Sequence, residues 1–128
     1  MSQNISQSLL PEFDMEVANA RKTLERVPEG KPDFRPHPKS MTLARLAGHL
    51  AEIPAWAVHS LDRDAFDMNP PGGGPRPEAY VMTTRQALLQ KFDDEASKAR
   101  ALLAATDDAK MMGANAYEAM EGADVCIV

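Results

Sequence analysis

Residues 41–62 read MTLARLAGHLAEIPAWAVHSLD, and this stretch decides the fold class of the chain. Apolar side chains recur in it at spacings of three and four residues, the repeat of one face of an α-helix. The positions of this stripe are Leu43, Leu46, Leu50, Ile53, Ala57 and Leu61. Ser40 or Thr42 can cap the helix, and Pro54 predicts a kink near residues 50–54. The stretch therefore predicts a long helix that buries its stripe in a helical core.

Two more stripes with the same spacing lie on either side of this stretch. The first predicts a helix over residues 10–28, with Pro11 in its first turn and residues 1–8 frayed before it. The second predicts a helix over residues 83–105, opened by Thr83 in a capping box with a glutamine three residues later. Aromatic residues make up only 5% of the chain, which suits helices better than strands. The sequence therefore predicts an all-α fold.

The segments between these helices are rich in proline and glycine. Residues 28–39 hold four prolines, and proline or glycine fills seven of the nine positions in residues 69–77. Neither segment can continue a helix, because proline lacks the amide hydrogen that the helix needs. We expect residues 69–77 to form an exposed loop that holds no ligand. At the end of the chain, residues 123–128 have the pattern of a short strand.

The composition excludes several classes of protein. The chain has 128 residues, enough for one domain, and a net charge of −5, without the clustered lysine and arginine that nucleic acids require. Its single cysteine, Cys126, allows no disulfide within the chain and no paired-cysteine zinc site. There is no apolar signal core and no apolar run long enough to span a membrane. A cytoplasmic protein without nucleic-acid or membrane partners is the expectation.

Three pieces of the chain resemble the DinB-like family of four-helix bundles. They are FDMEVANARKTLERVPEG at 13–30, RPHPKSMTLARLAGHLAEIPAW at 35–56 and LDRDAFDM at 61–68. The middle piece is the most specific, and the resemblance extends over about residues 9–110. It implies an up-down helical bundle, with residues 1–110 as an incomplete DinB-like domain.

The same resemblance implies a divalent metal, nickel or zinc, held by three histidines. One of them lies on the second helix, at the position of His49. The other two form a pair on the fourth helix, but no histidine follows His59 in this chain. The resemblance therefore implies a fourth helix that is missing or replaced by an atypical tail, residues 111–128, and an incomplete metal site.

The end of the tail is similar to another family. GANAYEAMEGADVCIV at 113–128 resembles a short stretch of NAD-dependent malate and lactate dehydrogenases. The chain has no GxGxxG motif and no preceding βαβ unit, so no NAD site is expected. This resemblance implies a tail of foreign or frame-altered origin.

His49 is open to two interpretations. Its spacing from Leu46 and Ile53 places it beside the apolar stripe, which predicts a hydrogen-bonded core histidine that points into the bundle. The resemblance implies instead a metal ligand. His59 lies ten residues further on, poorly placed to share a metal with His49, and His37 lies between two prolines of a connector.

Three functions remain open. The first is a metal-binding DinB-like bundle of unassigned reaction with an incomplete site. The second is a metal-dependent thiol transferase or hydrolase, which the resemblance implies for some relatives. The third is a non-catalytic, homodimerising helical module, which the missing histidine pair favours. Without a fourth helix the bundle would expose an apolar groove, which predicts low stability or self-association. Phe13 and Trp56 can either line a pocket between helices or pack in the core or at its rim.

Overall fold

A computed structural model describes residues 4–62 and 78–112 of the chain. This part folds into three long helices, α1 (Ile5–Leu24), α2 (Leu43–Asp62) and α3 (Arg85–Ala105), and a one-turn helix, α4 (Asp108–Met111). No strand occurs in the described ranges, so the all-α prediction is confirmed. The predicted loop 69–77 and the predicted strand 123–128 lie outside them.

Helix α1 begins earlier than the sequence predicts. Asn4 caps it: its side chain accepts from the Gln7 amide, and the Gln7 side chain accepts from the Asn4 amide. This reciprocal pair satisfies two amides that a helix start otherwise leaves without partners. The helix is therefore ordered from Ile5, so the expectation of frayed residues 1–8 was wrong for the part described. Pro11 lies inside the helix and not in its first turn.

The start of α3 is also shifted. Thr84, and not Thr83, is the N-cap, and its hydroxyl accepts from the Ala87 amide at 3.1 Å. The residues just before Thr84 are held against α2, because the Met82 amide donates to the Ala44 carbonyl oxygen of α2 at 3.0 Å. That bond fixes the path of the chain into α3. The start of α2 agrees with the sequence, since Thr42 accepts from the Arg45 amide at 3.2 Å.

Helix α3 is the centre of the described fold. It packs along both α1 and α2, whereas α1 and α2 touch each other little. The buried core lies along α3 and consists mainly of Leu24, Ala44, Ala47, Ala51, Met82, Leu88 and Phe92. Two bidentate ion pairs, Arg21 with Asp93 and Arg100 with Asp14, join α1 to α3 at the surface. No described helix has the length and apolar character that a membrane crossing demands.

The buried face of α2 is not the one that the sequence predicts. Its buried residues are small or rigid: Ala44, Ala47, Gly48, Ala51 and Pro54. Leu46, Leu50 and Ile53, which we expected in the core, are 46, 38 and 44% exposed. The small face allows α3 and the segment before it to approach α2 closely, and this rotates the larger side chains outward. The predicted stripe is present, but Leu46, Leu50 and Ile53 of it are not buried in the core along α3.

Gly48 marks the closest approach between α2 and the chain that enters α3. A Cβ atom at this position would lie 2.1 Å from the Tyr80 carbonyl oxygen and 2.8 Å from its carbonyl carbon. These are backbone atoms, which cannot rotate away as a side-chain end can. Only glycine fits at position 48 with the chain in this path.

We predict that Gly48→Ala lowers the free energy of unfolding. Overpacking costs about 1–3 kcal/mol, and the better helix propensity of alanine offsets about 1 kcal/mol of this. The expected net loss in urea denaturation is therefore up to about 2 kcal/mol. Gly30→Ala is the matched control, because nothing lies within 4 Å of a Cβ there. Equal stability of the two variants would contradict the close approach.

Candidate functional site

Three polar side chains share one face of α2. Arg45, His49 and Glu52 are four and three residues apart, so successive turns of the helix bring them together. They face the segment that leads into α3, where the backbone of Tyr80 lies against Gly48. We call Arg45, His49, Glu52 and the Tyr80 backbone the Glu52 cluster.

The carboxylate of Glu52 is the centre of this cluster. Its Oε1 accepts from Arg45 Nη2 at 2.7 Å and lies 3.0 Å from His49 Nδ1. Its Oε2 accepts from the Tyr80 amide at 2.9 Å. Arg45 Nη1 donates to the Tyr80 carbonyl oxygen at 3.1 Å. Both backbone groups of Tyr80 are therefore bonded to side chains of α2.

These contacts change the acidity of Glu52. Its side chain is only 17% exposed, and this burial opposes ionisation. Hydrogen bonds from His49, from the Tyr80 amide and from Arg45 act in the other direction and outweigh it. The pKa of Glu52 consequently lies below its ordinary value. Glu52 is ionised at neutral pH and accepts hydrogen bonds with both oxygens.

The contact with Glu52 sets the tautomer of His49. An ionised carboxylate only accepts, so His49 Nδ1 carries the hydrogen and donates it to Glu52. In the neutral ring, Nε2 then has its lone pair available. The side chain is 33% exposed, at the edge of the bundle and not in the core. The predicted hydrogen bond is present, with Glu52 as its partner, and the ring is half-buried.

The donor set around His49 does not fit a three-ligand metal site. Residues 4–62 and 78–112 contain no group of three or more His, Cys, Asp or Glu side chains that could hold a metal ion. The nearest carboxylate, Glu52, already accepts from Arg45 and Tyr80 as well as from His49. The described residues thus offer one imidazole nitrogen, and the role of His49 as a metal ligand stays a prediction.

The other two histidines lie apart from the cluster. His37 is on the exposed connector, where its Nδ1 accepts from the Lys39 amide at 3.1 Å, as expected of a connector residue. His59 is half-buried near the end of α2. Sequence reasoning singled out His49 but did not connect it with Arg45 and Glu52. The signal was present, since the three residues share one helical face.

An open groove of about 570 Å³ runs between α1 and α2. It exists because both helices pack on α3 and hardly on each other. Phe13 and Trp56, for which the sequence left open a pocket between helices beside ordinary core packing, both line it. Leu50 and Ile53 of the outward stripe lie there too, whereas His49 is not among the lining residues. The described ranges therefore contain two separate candidate sites, one polar and one apolar.

We predict that Glu52→Gln destabilises the fold at neutral pH. The amide cannot replace a carboxylate that accepts three donors, and charged hydrogen bonds of this kind contribute about 1.5–3 kcal/mol in total when partly buried. The contribution of Glu52 is fully present above its unfolded-state pKa and is lost as pH falls through its lowered folded-state pKa. Urea denaturation at pH 7 and at low pH should show the difference from wild type shrinking with acid.

Glu12→Gln is the control for this experiment, since Glu12 is exposed on α1, away from the cluster. We expect it to leave the free energy of unfolding within about 0.5 kcal/mol of wild type. A Glu52→Gln variant as stable as wild type at pH 7 would show that the cluster does not hold the Tyr80 backbone.

Comparison with known proteins identifies the family of this chain. The family model described as DinB superfamily matches residues 12–125. No curated protein and no solved structure gives a significant match. The family match runs through most of the tail, so the dehydrogenase resemblance of residues 113–128 is not borne out. With nearly the whole chain matched and an all-helical fold in the described part, this chain belongs to the DinB superfamily.

Proposed function

We propose that this chain is a non-catalytic helical module of the DinB superfamily, in which the Glu52 cluster has a structural task. The observation that carries the proposal is the pairing of Glu52 with Arg45, His49 and the Tyr80 amide. These bonds attach the segment before α3 to α2. In this proposal His49, the residue that the family resemblance marks as a metal ligand, helps to hold the chain path.

The coordination chemistry supports this proposal. Catalytic zinc sites use three protein ligands and keep one position open. A histidine that binds metal commonly donates its other ring hydrogen to a carboxylate, and Glu52 stands in that position relative to His49. Glu52 also pairs with Arg45, however, and the positive charge of Arg45 makes the electrostatic potential beside the imidazole less negative. A single imidazole next to a guanidinium is a weak cation site.

The second candidate function is divalent-metal binding, and the orientation of His49 favours it. Donation from Nδ1 to Glu52 leaves Nε2 as the coordinating atom, as in metal-bound histidines. A bound nickel or zinc ion would lower the pKa of a thiol or water coordinated to it. This is the chemistry that a transferase or hydrolase requires. In this candidate Glu52 orients the ring and holds its hydrogen on Nδ1.

We predict no stoichiometric, sub-micromolar binding of Ni²⁺ or Zn²⁺ to the full chain in titration calorimetry. We also predict that His49→Ala lowers the free energy of unfolding by about 0.5–1.5 kcal/mol, the net value of one hydrogen bond. His37→Ala, on the exposed connector, should change it by no more than about 0.5 kcal/mol. Tight metal binding that His49→Ala abolishes would favour the second candidate instead.

We propose that the homodimer expected from the sequence forms through the exposed face of α2 around Leu46. Leu46 is a large apolar side chain, 46% exposed, that lies outside the groove. Contiguous exposed apolar side chains on a helix are typical of association surfaces.

We predict that Leu46→Glu weakens self-association in sedimentation velocity, since a carboxylate would have to lose its water in the contact. Met15→Glu is the matched control, because Met15 is 54% exposed on α1. Equal weakening by both variants, or a monomeric wild type at every concentration tested, would contradict an α2 interface.

A further inference from the structure

We infer that the α1–α2 groove is a binding site for an amphiphilic organic amine, a molecule with an apolar body and one cationic ammonium group. The groove is separate from the Glu52 cluster and from the proposed dimer surface, because neither the residues of the cluster nor Leu46 line it. Its shape and its few polar atoms carry the inference separately.

The shape of the groove suits a small molecule. Its volume of about 570 Å³ falls within the range of about 300–1,000 Å³ that small-molecule sites occupy. Helix α3 contributes Phe92 and Leu103, both buried, and α1 and α2 contribute the aromatic side chains Phe13 and Trp56. Aromatic rings offer a large apolar contact and a face that attracts cations.

Apart from the Trp56 indole, two described polar side chains line the groove, Glu16 and Ser60, and both offer hydrogen-bond acceptors. The Ser60 hydroxyl donates to the Trp56 carbonyl oxygen at 2.6 Å, so only its lone pairs remain for a ligand. Glu16 is acceptor-only when ionised. A ligand that complements both residues must donate hydrogen bonds.

The charge of the groove selects a cation. Within the described part of the chain Glu16 makes no ion pair, although Asp14, two residues earlier, is held by Arg100. Among residues 4–62 and 78–112, no Lys, Arg or His lines the groove. A carboxylate ligand would therefore meet a like charge without compensation, while an ammonium group would pair with Glu16. The groove thus favours amines over fatty acids of equal length.

The fluorescence emission of Trp56 reports ligand binding, because Trp56 is the only tryptophan in the chain and it lines the groove. Decylamine, 1-decanol and decanoate are matched probes with the same alkyl chain and different head groups, used below their micelle concentrations with the full chain. We expect a saturable change in Trp56 emission with decylamine, at an affinity at least about fivefold higher than that for decanoate. 1-Decanol should fall between the two.

Glu16→Gln tests the origin of this preference. Glu16 is exposed, so the variant is expected to fold, and circular dichroism checks this. The variant should lose the preference for decylamine over decanoate and keep its affinity for 1-decanol. Glu12→Gln, one helical turn earlier and outside the groove, should behave as wild type.

Three outcomes of the ligand titrations would overturn the inference. They are no saturable binding of decylamine, equal affinities for decylamine and decanoate, and a preference that survives in Glu16→Gln. A Trp56 change that follows protein concentration without any ligand would assign the groove to a second copy of the chain, which also overturns it.

Discussion

The contact between Gly48 and the Tyr80 backbone is the constraint on which the described fold depends. Because position 48 has no side chain, the segment before α3 can lie directly on α2. This path brings the Met82 amide to Ala44 and the Tyr80 amide to Glu52. Met82 then enters the core, and α3 starts in the position from which it packs on both other long helices. A side chain at position 48 would displace all of these contacts together.

The same constraint explains how far the sequence could predict the fold. The three long helices follow from local spacing, and their bounds agree within a few residues except at the start of α1. The orientation of α2 does not follow from spacing, because Leu46, Leu50 and Ile53 form a better apolar stripe than the alanines that α3 covers. Periodicity identifies a face with large side chains. It does not show that a neighbouring backbone requires the small face.

The candidate site, too, could be predicted from the sequence only in part. His49 was singled out because of a family position, and the structure surrounds it with Arg45, Glu52 and Tyr80. The spacing of Arg45 and Glu52 on one helical face was visible in the sequence. Their shared partner, the Tyr80 backbone, was not, since it lies 28 residues from Glu52 along the chain. The family match establishes membership of the DinB superfamily, whereas the use that this chain makes of His49 depends on these local bonds.

The link between α4 and α1 has a consequence for the order of events during synthesis. Asp108 Oδ1 accepts from the Ile5 amide at 2.7 Å, a bond between residues 103 positions apart. Asn4 can cap α1 as soon as the first turns of that helix leave the ribosome, whereas the Asp108 carboxylate is 103 positions further along the chain and is made later. Contacts so distant in sequence close late, because the intervening chain must first lose its conformational freedom. Helix α1 therefore obtains all of its native bonds only after α2 and α3 have been made.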